Sequence, residues 1–237
     1  MISSLELEYL KFYLDEYYSF LSDENKVIGD FIYSETIPSA EILDVGCGPS
    51  FLYWAGFHPF AKKITGLDIK EDSVAFVNHE ISEIKLGKIH PRYLEVLDYV
   101  KSKSNQTDFV NQVNHFNVLQ ADLSTEWDIE NDSVDLVISI FGLDCLDSKE
   151  QFDFCLSQAF RVLRNNGKLI VITLCDTDVW HCGDAIIKCL NVNSSFLNKS
   201  LERAGFKNPK ILEAAAVTAI EKKQGYDKML LCSVIKE

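Results

Sequence analysis

Short apolar runs separated by amphipathic stretches organise most of this chain. Glu41-Ile-Leu-Asp-Val45, Ile64-Thr-Gly-Leu-Asp68, Val118-Leu-Gln-Ala-Asp122, Val134-Asp-Leu-Val-Ile-Ser139 and Leu169-Ile-Val-Ile-Thr173 are short, mainly apolar and bounded by turn residues. Runs of that kind read as strands covered on both faces, which predicts an α/β fold with a doubly wound parallel sheet. The strands fall near 41–45, 63–68, 116–120, 133–140 and 168–173, with a C-terminal pair near 210–218 and 228–235 joined across Gln224-Gly-Tyr-Asp227. Before the fifth strand, Leu163-Arg-Asn-Asn-Gly167 reads as a helix C-terminus followed by a glycine break. A helical pattern over about residues 5 to 35 predicts a cap ahead of the first strand. The stretch from 71 to 115 is long for one crossover, and its polar centre Lys101-Ser-Lys-Ser-Asn-Gln-Thr107 reads as a mobile loop.

The first strand carries the most specific chemistry, because it runs directly into Gly46-Cys-Gly48 and then, past Pro49, into a helical pattern. Glycines there allow a sharp turn and the close approach of a ligand, with helix amides beyond as donors. One βα unit later the second strand ends in Asp68, where a doubly wound sheet places an acceptor pair for ribose hydroxyls. A dinucleotide site needs a third small residue, and position 51 is Phe. No Gly-Lys-Ser/Thr follows the turn either, so phosphate binding is disfavoured. What remains is recognition of a nucleoside without its phosphates.

Asp44-Val-Gly-Cys-Gly48 with Asp68 resembles motif I and the next acidic strand end of class I S-adenosylmethionine methyltransferases. Ala121-Asp122, the turn and strand 131–139 and the strand after Gly167 continue the resemblance in the family's order. More narrowly, the chain from about Tyr9 onward is similar to the nicotinamide, phenylethanolamine and thioether (indolethylamine) N-methyltransferases. Tyr13-Leu-Asp-Glu-Tyr17-Tyr18 resembles their tyrosine-rich lid, Gly46-Cys-Gly-Pro-Ser50 their form of motif I, residues around 91–100 their insertion, and Leu143-Asp144 their Cys-Leu-Asp segment. The resemblance implies a Rossmann-like, seven-stranded, mostly parallel sheet with an antiparallel C-terminal strand, helices on both faces and an N-terminal helical cap. It implies one domain over 1–237, with a lid over 1–38 and a core over 39–237 carrying an insertion at about 80–115. Carried over position by position, cofactor contacts fall on Tyr13, Tyr18, Asp44, Gly46, Cys47, Gly48, Tyr53, Asp68, Ile69, Ser73, Asp122, Leu123 and Ile140. Tyr17, Phe141, Thr173 and Trp180 are the implied substrate contacts, and Tyr13, Asp144 and Asp176 the implied catalytic group. The chain departs from the family at the end of strand five, where Thr173 stands in place of an aspartate and Asp176 lies three residues on.

The implied cofactor is S-adenosyl-L-methionine, leaving as S-adenosyl-L-homocysteine. Methyl transfer from a sulfonium has an excellent leaving group, so the protein must chiefly align donor and acceptor and exclude water. Lid tyrosines suit this because their faces attract cations, although rings at such spacing also simply pack a helical cap. Asp144 and Asp176 can either touch the acceptor or cap turns.

Charge then narrows the acceptor. Twenty-three basic residues against 36 acidic ones give a net charge of −13, which repels nucleic acid and suits a small cation, though acidity also serves solubility. Ser139-Ile-Phe-Gly-Leu143 is not the Asn/Asp-Pro-Pro-aromatic signature used for base nitrogens or glutamine amides. The seven cysteines include no Cys-x-x-Cys pair, and their odd number argues against a disulfide framework. His181, Cys182 and Cys189 suit core packing better than a metal, and none is expected. With no signal peptide and no apolar run long enough for a bilayer, the expectation is a cytoplasmic monomer without nucleic-acid or membrane partners. Three readings stay open: N-methylation of a small amine, guanidine or heteroaromatic compound; transfer to oxygen or sulfur of a small acceptor; and a non-catalytic cofactor-binding domain that regulates a partner.

Overall fold

Among the described residues, seven strands form one sheet. The computed structural model describes residues 23–38, 40–49, 52–103, 108–182, 185–215 and 224–237. Within these, helix α1 spans Asp23–Glu35, β1 Ala40–Val45, α2 Leu52–Phe57, β2 Ala61–Asp68, α3 Glu71–Lys85, α4 Arg92–Lys103 and α5 Phe109–Gln112. Then follow β3 Phe116–Gln120, β4 Val134–Ile140, α6 Lys149–Val162, β5 Leu163–Cys175, β6 Val179–Cys182, β7 Ala185–Lys188, α7 Ser194–Ala204, β8 Lys210–Ala215 and β9 Lys228–Ile235. The pairs β1–β2, β1–β4, β2–β3 and β4–β5 are parallel, whereas β9 lies antiparallel between β5 and β8. This is the class I methyltransferase arrangement that the strand pattern and the resemblance predict.

Burial explains why the strand signal reads so clearly. In β4 the alternate side chains Leu136 and Ile138 join a core beneath α1 to α4, while Val134 and Val137 join a second core beneath α6 and α7. Both faces are covered, so the strand is apolar without alternation. Helix starts follow capping rules: Ser148 accepts from the Gln151 amide at the start of α6, and Asn193 accepts from Phe196 at the start of α7. Helix α1 is stapled to the sheet by Glu35, whose carboxylate meets Lys168 at 3.0 Å, Lys210 at 2.7 Å and the Ser233 hydroxyl at 3.1 Å.

Several details correct the sequence reading. Strand five begins at Leu163, directly after α6, because Asn166 rather than Gly167 takes the left-handed conformation, at φ +65°. Lys101–Lys103 close helix α4 rather than opening a loop, and residues 104–107 lie outside the described residues. Strand β8 runs over 210–215; 216–223 are not described. The antiparallel hairpin of β6 and β7 was not foreseen. Among the described residues, no helix is long and apolar enough to cross a membrane.

Candidate active site

The carboxyl ends of β1, β2, β4 and β5 meet at one edge of the sheet, where ligands of doubly wound folds sit. At the end of β1 the chain turns through Gly46 at φ +73° and Gly48 at φ +65°, conformations costly for any residue with a Cβ. The turn is tied to β2, since the amides of Gly46 and Cys47 both donate to Leu67 O, at 2.8 and 3.1 Å. Asp68 completes the connection. Its Oδ2 accepts from the Gly48 amide at 2.9 Å and its Oδ1 from the Lys70 amide at 2.8 Å. The carboxylate is therefore aimed by two backbone donors, and each oxygen keeps acceptor capacity.

Steric fit excludes side chains from this wall. A Cβ on Gly46 would lie 2.9 Å from Gly142 Cα, and one on Gly142 would lie 2.7 Å from Val45 O. The turns after β1 and β4 thus touch backbone to backbone. Gly66 is similarly occluded, by the Trp54 indole at 2.7 Å and the Cys47 thiol at 2.8 Å. Trp54 in turn donates its indole N–H to Asp44 Oδ2.

Burial sets the protonation of these groups. Desolvation pushes the Asp44 carboxyl up to about 7, with the Trp54 hydrogen bond opposing and the neighbouring Asp68 charge assisting. For Asp68 desolvation also prevails, against the Lys70 and Gly48 amides, and the pKa rises. Cys47 is raised well above a normal thiol by burial and by the Asp44 and Asp68 charges, so it stays protonated and is no nucleophile.

A second constellation stands above β4 and β5. Phe141 occupies φ +53° with its amide bonded to Ile172 O at 2.8 Å. Leu174, Trp180 and Tyr226 form a buried cluster on which Phe141, Ile187 and Cys189 pack. The hairpin β6–β7 supplies Trp180 and Ile187, which pair with each other in register. Tyr226 donates its hydroxyl to Glu24 near the start of α1, with Gln224 Oε1 at 3.2 Å, so the cluster joins both ends of the described chain. Asp144 is completely buried at its base, where Oδ2 accepts from the Leu174 amide at 3.1 Å, and desolvation lifts the acid to about 6. Asp144 Oδ1, Thr173 Oγ1 and Asp44 Oδ1 are buried with no hydrogen-bond partner among the described residues. Such atoms cost about 1–3 kcal/mol each and are explained where a polar ligand completes them.

The residues expected to bind cofactor thus converge in part. Asp44, Gly46, Cys47, Gly48, Asp68, Ile69, Leu123 and Ile140 lie at or beside the edge, with Ile69 56% exposed just past Asp68 and Leu123 near Gly46. Tyr53 and Ser73 are buried in α2 and α3, the Tyr53 hydroxyl donating to Asn25, so neither side chain faces open solvent. Asp122 is exposed and holds its own turn through the Ser124 amide and hydroxyl, at 2.9 and 2.7 Å. Asp176 has a side chain 54% exposed, at φ +56°, with Lys228 Nζ 3.9 Å away and the Cys175 thiol donating to its Oδ2 at 3.4 Å. Tyr13, Tyr17 and Tyr18 lie outside the described residues. Sequence reasoning missed Gly142, Trp54, Tyr226 and Glu24. Only Gly142 left a local signal, a glycine directly after an apolar strand. Among the described residues no group of three or more His, Cys, Asp or Glu side chains could hold a metal ion.

The profile of the NNMT/PNMT/TEMT family matches residues 9–235. No curated protein sequence matches the chain. A SAM-dependent methyltransferase from Aquifex aeolicus has a similar structure at 18% identity and TM-score 0.62, covering 96% of this chain and 97% of that one. An S-adenosylmethionine-dependent methyltransferase from Mesorhizobium loti follows at 14% and 0.58, over 90% and 97%. The [4+2]-cyclase SpnF is similar at 16% and 0.59, over 90% and 80%, so the fold by itself does not fix the reaction. The family match over nearly the whole chain does, and it agrees with a glycine turn and an oriented strand-end carboxylate: the chain belongs to the NNMT/PNMT/TEMT family and is an S-adenosylmethionine-dependent methyltransferase.

Proposed function

We propose that the protein methylates a nitrogen of a small amine, guanidine or heteroaromatic compound, bound in the cluster of Phe141, Trp180 and Tyr226. The supporting observation is that cluster itself, three aromatic side chains with a buried glutamate hydrogen-bonded to one of them, next to the glycine turn. Aromatic faces attract cations and flat heteroaromatic rings, and a carboxylate nearby gives direction. Such a set of side chains offers less to a thiol.

In this reading Gly46, Gly48 and Asp68 hold the nucleoside, the carboxylate accepting both ribose hydroxyls while keeping its backbone donors. The residues fit the cofactor: Gly46 and Gly48 turn the chain at positive φ beside Asp68, whose oxygens keep acceptor capacity, and Asp44 offers an unpartnered carboxylate oxygen to the cofactor's ammonium. When bound, S-adenosylmethionine supplies a methyl group on a sulfonium, ready for in-line displacement. Thr173 and Asp144, with one unpartnered oxygen each, order the floor beneath the acceptor, and the aromatic rings exclude water from it. An amine acceptor must lose its proton before attack, and we assign its receipt to Glu24, the carboxylate to which the Tyr226 hydroxyl donates. Asp176, exposed beside Lys228, we assign to the rim instead. In the same reading residues 1–38 are the cap and 39–237 the core, and Tyr13, Tyr17 and Tyr18, which lie outside the described residues, are assigned to cofactor and acceptor.

The test is methyl transfer from labelled cofactor to panels of amines, heteroaromatics, phenols and thiols, with products identified by mass spectrometry. Trp180→Leu and Glu24→Gln should raise acceptor KM or lower kcat about tenfold or more while cofactor Kd changes less than twofold. Preferred turnover of a phenol or a thiol would overturn the nitrogen assignment and leave the methyltransferase standing.

A further inference from the structure

Two cysteines meet beside the aromatic cluster and have no part in the mechanism above. Cys145 ends the short 3-10 turn after β4, and Cys189 follows β7. The Leu190 amide donates to Asp144 O at 2.7 Å, which sets these segments side by side. Residues 145 and 189 are each one step from that bond, in opposite chain directions, and both lie beside Phe141, whose carbonyl accepts from the Cys145 thiol and whose ring packs in one cluster with Cys189. Each thiol also leans on a local carbonyl, Cys145 on Phe141 O at 3.3 Å and Cys189 on Ile187 O at 3.8 Å. Both acceptor carbonyls belong to residues of the aromatic cluster. Reagents can reach the pair, since Cys145 is exposed and Cys189 half-buried, whereas Cys155, Cys175 and Cys232 are buried.

We propose that Cys145 and Cys189 are a redox-active dithiol that a peroxide converts to a disulfide, bracing the loop after β4 against the segment after β7. The thiolate of one cysteine attacks a peroxide oxygen, the O–O bond breaks, and a sulfenic acid forms as the departing hydroxide takes up a proton. The second sulfur then displaces hydroxide from the sulfenic sulfur, the S–S bond forms, and its own proton leaves with that oxygen as water. Two thiols are oxidised and one peroxide is reduced to two waters. A dithiol reductant reverses the change by thiol–disulfide exchange.

The reaction is slow at neutral pH. The neighbouring Cys189 thiol and the Asp144 charge hold the Cys145 thiol well above a normal thiol pKa, and the thiolate is the nucleophile. Its rate should therefore rise about tenfold per pH unit across the neutral range.

The functional consequence rests on the acceptor pocket proposed above. A bridge beside Phe141 and Cys189 narrows that pocket but leaves the glycine turn alone, so oxidation should raise acceptor KM and spare cofactor affinity.

Folded protein treated at pH 8 with a small excess of hydrogen peroxide, digested without reductant, should yield a linked peptide pair containing Cys145 and Cys189. Dithiothreitol should remove it, and Cys145→Ser or Cys189→Ser should each abolish it while keeping the wild-type Tm. Absence of that pair, with Cys145 carried on to sulfinic acid or linked to another cysteine, overturns the proposal. Because the link is read by mass in the absence of substrate, it is independent of the acceptor assignment. A linked pair with unchanged acceptor KM upholds the dithiol and counts against the pocket.

Discussion

Replacing Asp144 by asparagine should stabilise the protein at neutral pH, the opposite of what removing a buried charged residue from a site usually suggests. Asp144 is fully buried, and its one resolved bond, from the Leu174 amide to Oδ2 at 3.1 Å, needs only an acceptor, which a carboxamide oxygen supplies. Desolvation raises the acid from 3.8 to about 6, with the Leu174 amide opposing. A raised acid means the folded state binds the proton more tightly, so its stabilising contribution is complete below about 4 and lost as pH rises through about 6. At 1.36 kcal/mol per unit, the ionised form at pH 7 weighs about 3 kcal/mol against the fold, an upper limit on what asparagine recovers. Asp144→Ala instead strands the Leu174 amide and should cost about 1–3 kcal/mol. The assay is urea unfolding of each variant without ligand at intervals from pH 4.5 to 8. The stability of Asp144→Asn minus that of wild type should grow across pH 4.5 to 7 and then level off. A difference that does not vary with pH, or an asparagine variant less stable than wild type at pH 7, would refute the desolvation argument.

Gly142→Ala should weaken cofactor binding at least tenfold and destabilise by about 1–3 kcal/mol, because its Cβ would press on Val45 O at 2.7 Å and on the Gly46 backbone; calorimetric titration together with urea unfolding separates the two effects. In the proposed site the cationic cofactor meets an ionised Asp44, whose acid without ligand sits at about 7, so affinity should fall up to about tenfold per unit below pH 7. Titrations in buffers of different ionisation enthalpy should register proton release at pH 6, and none would remove Asp44 from the cofactor site. At Glu35 burial raises the pKa, but hydrogen bonds from Lys210 and Lys168, the Lys168 charge and Ser233 outweigh it and bring the acid from 4.5 to about 2. Its contribution is therefore present above about 4.5 and lost as pH falls toward 2, and Glu35→Gln should lower stability by about 1–2 kcal/mol at pH 7 but hardly at pH 2.5.

What could be read from the sequence follows from how far apart the causes lie along the chain. Strands such as Val134–Ile140 announce themselves because burial on both faces removes alternation, a property of consecutive residues. The turn at Gly46 and Gly48 is likewise local, as its conformation is set within the turn. Asn166 misled because asparagine can take the left-handed role expected of the neighbouring Gly167. The hairpin of β6 and β7 has Gly183-Asp184 between its strands as a turn signal, but each strand is only four residues long, too short to show a strand pattern of its own. Glu24 and Tyr226 stand 202 residues apart, and nothing near either predicts that they meet. Asp176, placed among the acceptor residues by the resemblance and by its position after strand five, takes a positive φ and is 54% exposed beside Lys228, features no neighbouring residue announces.

The contact between Gly46 and Gly142 bears on how the two halves of the site act together. Phe141 belongs to the aromatic cluster and Gly142 to the cofactor wall, so adjacent residues serve the proposed acceptor and the cofactor turn. On the other side, the Ser139 hydroxyl donates to Val45 O at 2.8 Å, the same carbonyl that crowds Gly142. The loop after β4 is thereby held to the turn after β1 at two points only a few residues apart. A rigid connection of this kind fixes the relative position of donor and acceptor, which is the main demand of an in-line displacement that needs no covalent intermediate. It also predicts that substitutions at Phe141 reach the cofactor more strongly than substitutions at Trp180, which comes from the separate β6–β7 hairpin. Phe141→Leu should therefore change both acceptor KM and cofactor Kd, whereas Trp180→Leu should change the first alone. Equal effects of the two substitutions on cofactor Kd would show that the walls are not mechanically joined at Gly142.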